Sequence, residues 1–119
     1  MNVAIIGASN NTERTSFLAV KRLLEAGHRV FPVHPKEQEI LGQKCYPGIT
    51  DIKDDIHTIS LYLNEKRSSG IINDLLFVKP SRIIFNPGAE NEVLKAKAES
   101  LGIEAENACT LILLSTGNF

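Results

Sequence analysis

Short apolar runs alternate with amphipathic stretches along this chain, and the alternation predicts strands and helices in turn. Val3–Ile6 is an apolar run that stops at Gly7, as a strand buried on both faces would. Phe17, Val20, Leu23 and Leu24 share one helical face. They predict a helix from near Ser16, with Thr15 as N-cap and Gly27 at the position just past its end. Arg29–Val33 reads as a second strand. Pro32 within it has no N–H to give to a ladder, so either that position faces no partner strand or the strand is irregular there. Pro35–Leu41 reads as a loop or a short helical turn, Gln43–Tyr46 as a short extended piece closed by Pro47-Gly48, and Asp51–Asp55 as a polar stretch.

The alternation then resumes. His57–Leu63 predicts a third strand, and Ile71, Ile72, Leu75 and Leu76 have helical spacing within a helix from Glu65 to Val78, closed by Pro80. Arg82–Phe85 is a fourth strand, Glu90–Leu101 a helix ended by Gly102, and Ile103–Glu106 a fifth strand. The apolar tail Cys109–Thr116 is compatible with a strand, a packed helix or a partner contact, because its run is too short for periodicity to decide. Strand and helix in alternation predict an α/β fold, Rossmann-like, with about five parallel strands and helices on both faces.

Composition narrows the picture. The chain has 119 residues, enough for one domain over 1–119 that buries about two-thirds of its unfolded surface. With 43% apolar residues and a mean hydropathy of −0.04, it reads as soluble and globular. A net charge of −1, no Trp and no basic stripe interleaved with aromatics argue against nucleic acid as partner. The longest apolar run, Leu111–Leu114, is too short to span a bilayer, so no membrane partner is expected. No signal-peptide pattern opens the chain, and two cysteines make no disulfide framework, so a reduced, cytoplasmic setting is expected.

In sheets of this kind ligands bind beyond the carboxyl ends of the strands, where strand order reverses. The topology therefore brings four loops to one rim: 8–15, 34–36, 64–66 and 86–89. In the first, Gly7 permits a tight turn and close approach, the Ala8 backbone follows it, Ser9 and Ser16 offer hydroxyl donors, and Arg14 offers a guanidinium fork. A helix N-terminus adds to these a preference for anions. At the end of the second strand an NAD site carries an acidic residue for the ribose hydroxyl. His34-Pro35-Lys36 stands there instead, which suits a nucleotide with an extra ribose phosphate: NADP or coenzyme A. His34 also suits a ring packed at a strand end. Asn86 and Gly88 can meet a ligand or start an Asx turn; Asn64 can do the same or cap the next helix. No metal-ligand spacing or paired-carboxylate motif stands out, and His28 and His57 fall on the opposite rim. Cys45 and Cys109 read as inert thiols.

With these residues in place, the chain resembles the small single-domain CoA-binding proteins, which are similar to the N-terminal CoA-binding domain of the succinyl-CoA synthetase alpha subunit. The likeness rests on Val3-Ala4-Ile5-Ile6-Gly7-Ala8-Ser9 with Arg14 and Ser16, on Arg29-Val30-Phe31-Pro32-Val33-His34-Pro35-Lys36, and on Gly42-Gln43-Lys44-Cys45-Tyr46-Pro47. It implies that Ser9, Arg14 and Ser16 contact the phosphates or pantetheine of coenzyme A or an acyl-CoA, and that Lys36 lies near the ribose phosphate. The chain departs from the family at His34, where Asn is frequent, at Asn86-Pro87, and at Ala108, where Arg is common. Ligase activity does not carry over, because the synthetase's phosphohistidine lies in another domain.

Three functional classes follow. The first is a non-catalytic CoA-binding domain, with NADP as the ligand variant. The second is a fragment of a nicotinamide-dependent oxidoreductase. The third is an interaction module with a decayed ligand site, in which Thr110–Leu114 forms a homodimer or partner face.

Overall fold

The computed structural model describes residues 1–119. Seven strands and five helices follow one another as β1 (Asn2–Ile6), α1 (Thr15–Glu25), β2 (Arg29–Val33), β3 (Glu39–Ile40), β4 (Gln43–Lys44), β5 (Thr58–Leu61), α2 (Glu65–Ser69), α3 (Ile72–Phe77), β6 (Arg82–Phe85), α4 (Glu92–Ser100), β7 (Glu104–Asn107) and α5 (Thr110–Ser115). A 3-10 turn at Ile49–Asp51 lies between β4 and β5. Five strands form one parallel sheet in the order β2-β1-β5-β6-β7, the Rossmann-like arrangement that the alternation predicts. The chain grows from β1 to β2 on one side and to β5, β6 and β7 on the other. The crevice therefore opens between the carboxyl ends of β1 and β5.

Both faces of the sheet are covered, which is why the inner strands read as unbroken apolar runs. On one face Ala4, Ile6, Ile59, Leu61, Ile83 and Phe85 pack with Leu75 of α3 and Leu94 and Ala98 of α4. On the other, Val3 and Ile5 pack with Ala19, Val20 and Leu23 of α1. Leu111 and Leu114 of α5 lie against this second cluster, so the apolar tail is a packed helix, with Ile112 on its exposed side. No helix is long and apolar enough to cross a membrane.

Pro32 sits on the edge strand with its carbonyl turned outward, where it accepts from Tyr46 N at 2.9 Å. Its missing N–H lies on that outer side too, so the β1–β2 ladder loses no bond. Three segments differ from the pattern-based expectation. The 35–44 region holds the hairpin β3–β4, closed by Leu41 and Gly42 at φ of 50° and 78°, left-handed at both positions. The helix expected over 65–78 breaks into α2 and α3 at Gly70-Ile71, where Asn91 Nδ2 donates to the Ser68 and Ser69 hydroxyls at 2.8 and 3.2 Å. α1 begins with Arg14 at the N-cap and no side-chain cap, so Thr15 is inside the helix rather than capping it.

Candidate functional site

A cleft of about 810 Å³ runs across the carboxyl ends of β2, β1, β5 and β6. Of the residues singled out by sequence, Gly7, Ala8, Ser9, Arg14, Ser16, His34, Asn64 and Gly88 line it; Lys36 and Asn86 do not. Four loops remote in sequence meet here because parallel crossovers return every carboxyl end to one rim.

The loop after β1 is built in two halves. Gly7 and Ala8 turn their N–H groups to Val33 O, at 3.3 and 3.2 Å, so these amides tie β1 to β2 rather than facing the cleft. Gly7 has φ +89°, and a Cβ there would meet Leu63 Cδ2 at 3.2 Å and the Tyr62 backbone carbonyl carbon at 3.3 Å. The missing side chain makes room for the β5–α2 segment, not for a ligand. The second half is held by its own turns: Ser9 Oγ accepts from Asn11 N, and Asn11 Oδ1 from Glu13 N, both at 3.0 Å. Asn10 Nδ2 donates to the Glu37 carboxylate and to Glu39 O, which docks the loop on the β3 segment.

What this loop leaves free is the anion-binding part. The N–H groups of Thr15 and Ser16, at the start of α1, donate to no protein carbonyl. The Ser16 residue is 4% exposed, lines the cleft and has no side-chain partner in the protein. Arg14 beside them has no carboxylate, since the ion pairs of the chain are Arg22–Glu25 and Arg29–Asp54.

At the end of β2, His34 Nδ1 accepts from Lys36 N and Glu37 N, at 3.0 and 3.1 Å. The ring therefore carries its hydrogen on Nε2, folds the 35–37 turn and still presents a face to the cleft. That turn leaves Lys36 exposed outside the cleft.

At the end of β5, Asn64 caps α2 by accepting from Arg67 N at 2.9 Å. The wall continues through Arg67, Ile71 and Asp74, three lining residues that sequence reasoning did not single out. Arg67 and Asp74 have no ion-pair partner within the chain. The lining also takes in Pro47, Gly48 and Ile49, at and just before the 3-10 turn against which α3 packs.

Tyr62 also lines the cleft, and its hydroxyl is buried with no hydrogen bond of standard geometry. The neighbouring Ser60 and Thr110 hydroxyls bond each other at 2.7 Å, which leaves only weak contacts for the phenol. Burial pushes the Tyr62 hydroxyl up to about 12.

Asn86 departs from its expected role. It is 1% exposed and its carboxamide is fully engaged inside the protein. Nδ2 donates to Ser60 Oγ and Leu61 O, both at 3.0 Å, and Oδ1 accepts from Thr110 N at 2.8 Å. It staples β5 and β6 to the start of α5. Gly88 keeps open space where a Cβ would stand, although its N–H is taken by Glu90 Oε1 at 3.0 Å. Glu90 thus closes the 86–90 turn, and α4 starts at Glu92 with Asn91 as its cap.

Cys45 is buried, and burial pushes its thiol up despite a contact of 3.9 Å with His34 O. No group of three or more His, Cys, Asp or Glu side chains is placed to hold a metal ion.

A family model described as the CoA binding domain matches residues 1–115. An ADP-forming acetate–CoA ligase of Methanocaldococcus jannaschii is 40% identical over 55 residues, 46% of this chain. Uncharacterized protein YneT of Bacillus subtilis is 27% identical over 74 residues, 62% of this chain. The aligned stretches make up 8% of the ligase and 55% of YneT. A crystal structure of an uncharacterized protein superposes with a TM-score of 0.89 at 38% identity, covering 99% of this chain and 97% of that one.

Proposed function

Because the chain belongs to the CoA binding domain family, we propose that it binds coenzyme A, or an acyl-CoA, in the cleft at the carboxyl ends of its strands, and that it does so as a binding module rather than a catalyst. The observation that carries this reading is the uncompensated cationic end of the cleft. Arg14, the Thr15 and Ser16 N–H groups and the Ser16 hydroxyl all lack partners in the protein and share one wall. A helix N-terminus favours an anion by about 0.3–1 kcal/mol, and a hydrogen bond to a charged group contributes roughly 1.5–3 kcal/mol. The guanidinium is therefore the larger contributor, and a phosphate is the group it suits best.

The residues present fit the cofactor. The cleft volume of about 810 Å³ lies within the roughly 300–1,000 Å³ typical of small-molecule and cofactor sites. Ser9, Arg14 and Ser16 would hold phosphate. Val33, His34, Pro35, Pro47 and Ile49 would enclose the nucleoside end, and Pro87 and Gly88 would border the pantetheine end. The cofactor's own contribution when bound is a thiol or thioester; no side chain of the cleft is assigned a role in its chemistry. Tyr62, held near 12, stays protonated and is not a base at neutral pH.

NADP is the second reading, favoured by the same observation that argues against NAD: His34, not a carboxylate, ends β2 at the cleft. Calorimetric titration with CoA, NADP, NAD and ADP tests both. CoA binding at micromolar concentration or tighter, with weaker or no binding of NADP, supports the proposal. Preference for NADP would replace it with the second reading. No binding by any of the four would sink both and favour a role in protein interaction.

A further inference from the structure

We infer that the first half of the β2 edge receives an extended, acidic segment of another protein, which adds to the sheet as a short further strand. This surface shares no residue with the cleft, and the inference stands apart from the CoA reading. The edge is half closed. Arg29, Phe31 and Val33 turn their main-chain groups to β1, so Val30, Pro32 and His34 turn theirs outward. Beside Pro32 and His34 the outer lane is filled: Tyr46 N donates to Pro32 O and His34 N to Tyr46 O, both at 2.9 Å. Beside Val30 the same lane is empty. The N–H and C=O of Val30 have no hydrogen-bond partner in the protein. Those of Lys44 have none either. Cys45 N donates to Gln38 O inside the hairpin, so its neighbours Lys44 and Tyr46 both turn their main-chain groups toward β2, but only Tyr46 reaches it. A slot of about 360 Å³ takes its lining from both strands, Val30 and Phe31 on one and Lys44 and Tyr46 on the other. Unmet N–H and C=O groups at a sheet edge are a template for an added strand.

Charge selects the occupant. No acidic residue lines the slot. Arg29, 5.1 Å from the centre of the Phe31 ring, is already held by Asp54 at 3.1 Å. Lys44 Nζ stands 5.0 Å from the centre of the Tyr46 ring and has no carboxylate partner in the chain. Lys44 is therefore the cation left to meet a carboxylate from outside. The opposite edge of the sheet differs. Glu104 and Glu106 of β7 bond to β6, so Ala105 and Asn107 turn unpaired main-chain groups outward. Those groups are flanked by the two glutamates, and neither is paired with a cation. Like charges guard that edge against an acidic strand, which leaves β2 as the edge that accepts one.

The test is titration of the isotope-labelled full chain with the end-blocked hexapeptide Glu-Thr-Glu-Val-Glu-Thr, beside its counterpart Lys-Thr-Lys-Val-Lys-Thr, read by amide chemical shifts and hydrogen exchange. Saturable shifts should centre on the Val30 and Lys44 amides, and exchange of the Val30 N–H should slow by about tenfold at saturation. The amides of Arg14 and Ser16 in the cleft should not move, and the lysine peptide should leave the slot unperturbed. Lys44 is exposed, so its replacement leaves the fold intact, as a melting curve checks. Lys44→Glu should weaken binding of the acidic peptide by about five- to tenfold, and Lys44→Gln by about two- to threefold. Absence of saturable shifts at Val30, equal binding of the lysine peptide, or unchanged affinity in Lys44→Glu would overturn the inference. Shifts of the same amides on raising the protein concentration alone would also overturn it, by giving the edge to a second copy of this chain.

Discussion

The two rims of the sheet carry similar side chains and treat them in opposite ways. At the amino ends of the strands Arg82 is 7% exposed and fully answered. Its Nε donates to Thr58 Oγ1 at 3.2 Å, its Nη1 to Phe119 O at 2.9 Å, and its guanidinium lies 4.6 Å from the centre of the Phe119 ring. His28 stacks edge-on against the same ring at 5.2 Å, and Arg29 pairs with Asp54 at 3.1 Å. At the carboxyl ends Arg14 and Arg67 border a cleft and have no such partners. A cation whose donors the fold has already engaged is part of the architecture. One that the fold leaves open beside free N–H groups is available to an anion from outside.

The sharpest way to break this contrast is to remove one cation from each rim. Arg82→Met keeps the aliphatic stem and deletes the hydrogen bonds. It should lower unfolding free energy by about 2–3 kcal/mol in denaturant titrations and leave CoA affinity unchanged. Arg14→Ala should do the reverse, with stability within about 0.5 kcal/mol of wild type and CoA affinity down about tenfold or more, while pantetheine, which lacks phosphate, is unaffected. Loss of stability in Arg14→Ala, or equal weakening of both ligands, would show that Arg14 belongs to the scaffold.

Gly7→Ala asks which part of the open rim is itself scaffold. The residue has φ +89°, and a Cβ would press on Leu63 and on the Tyr62 main chain. The strained backbone and the crowding together should cost about 1–3 kcal/mol of stability. Any change in CoA affinity should follow from displacement of the 62–64 segment, and not from a clash with ligand. A variant of wild-type stability that has lost CoA binding would instead put Gly7 against the ligand.

Much of this arrangement is legible in the sequence, and what is not has a common cause. The parallel sheet and the four rim loops follow from the alternation of Val3–Ile6, Arg29–Val33, His57–Leu63, Arg82–Phe85 and Ile103–Glu106 with amphipathic segments, because parallel crossovers leave few topologies. The inward turn of Asn86 is hidden, since its partners Ser60 and Thr110 lie 26 and 24 residues away. In sequence an Asn before Pro-Gly looks equally like a ligand contact and a turn. The split between α2 and α3 is hidden in the same way: it depends on Asn91 reaching back to Ser68 and Ser69, contacts that no local pattern encodes. Arg67 escaped notice because an arginine on a polar helical turn ordinarily faces solvent. The hairpin at Leu41-Gly42 did leave a signal in Gly42, though Leu41 at φ 50° is an unfavourable choice for the left-handed region.

The smallest expected effect concerns the one buried polar group that belongs to neither pattern. The Tyr62 hydroxyl sits at the cleft yet is buried without a well-formed bond, and burial raises it from 10 to about 12. The phenolate is therefore disfavoured in the folded chain and free to form in the unfolded one. Between roughly pH 10 and 12 the unfolded state releases this proton first, so its contribution to stability, intact below pH 10, is lost as pH rises. Across that window the loss should reach about 1–3 kcal/mol in the wild type and be absent in Tyr62→Phe, with the other tyrosine and the lysines contributing equally to both. At neutral pH the replacement should shift stability by less than about 1 kcal/mol, because it removes a donor and leaves no partner stranded. Melting curves of the two proteins at pH 7 and pH 11 decide the matter. Parallel losses at pH 11 would show that Tyr62 ionises freely in the fold. A marked drop at pH 7 would show that the hydroxyl is bonded after all, through a water or a neighbouring hydroxyl, and that the carboxyl rim is more tightly closed than the contrast with Arg82 implies.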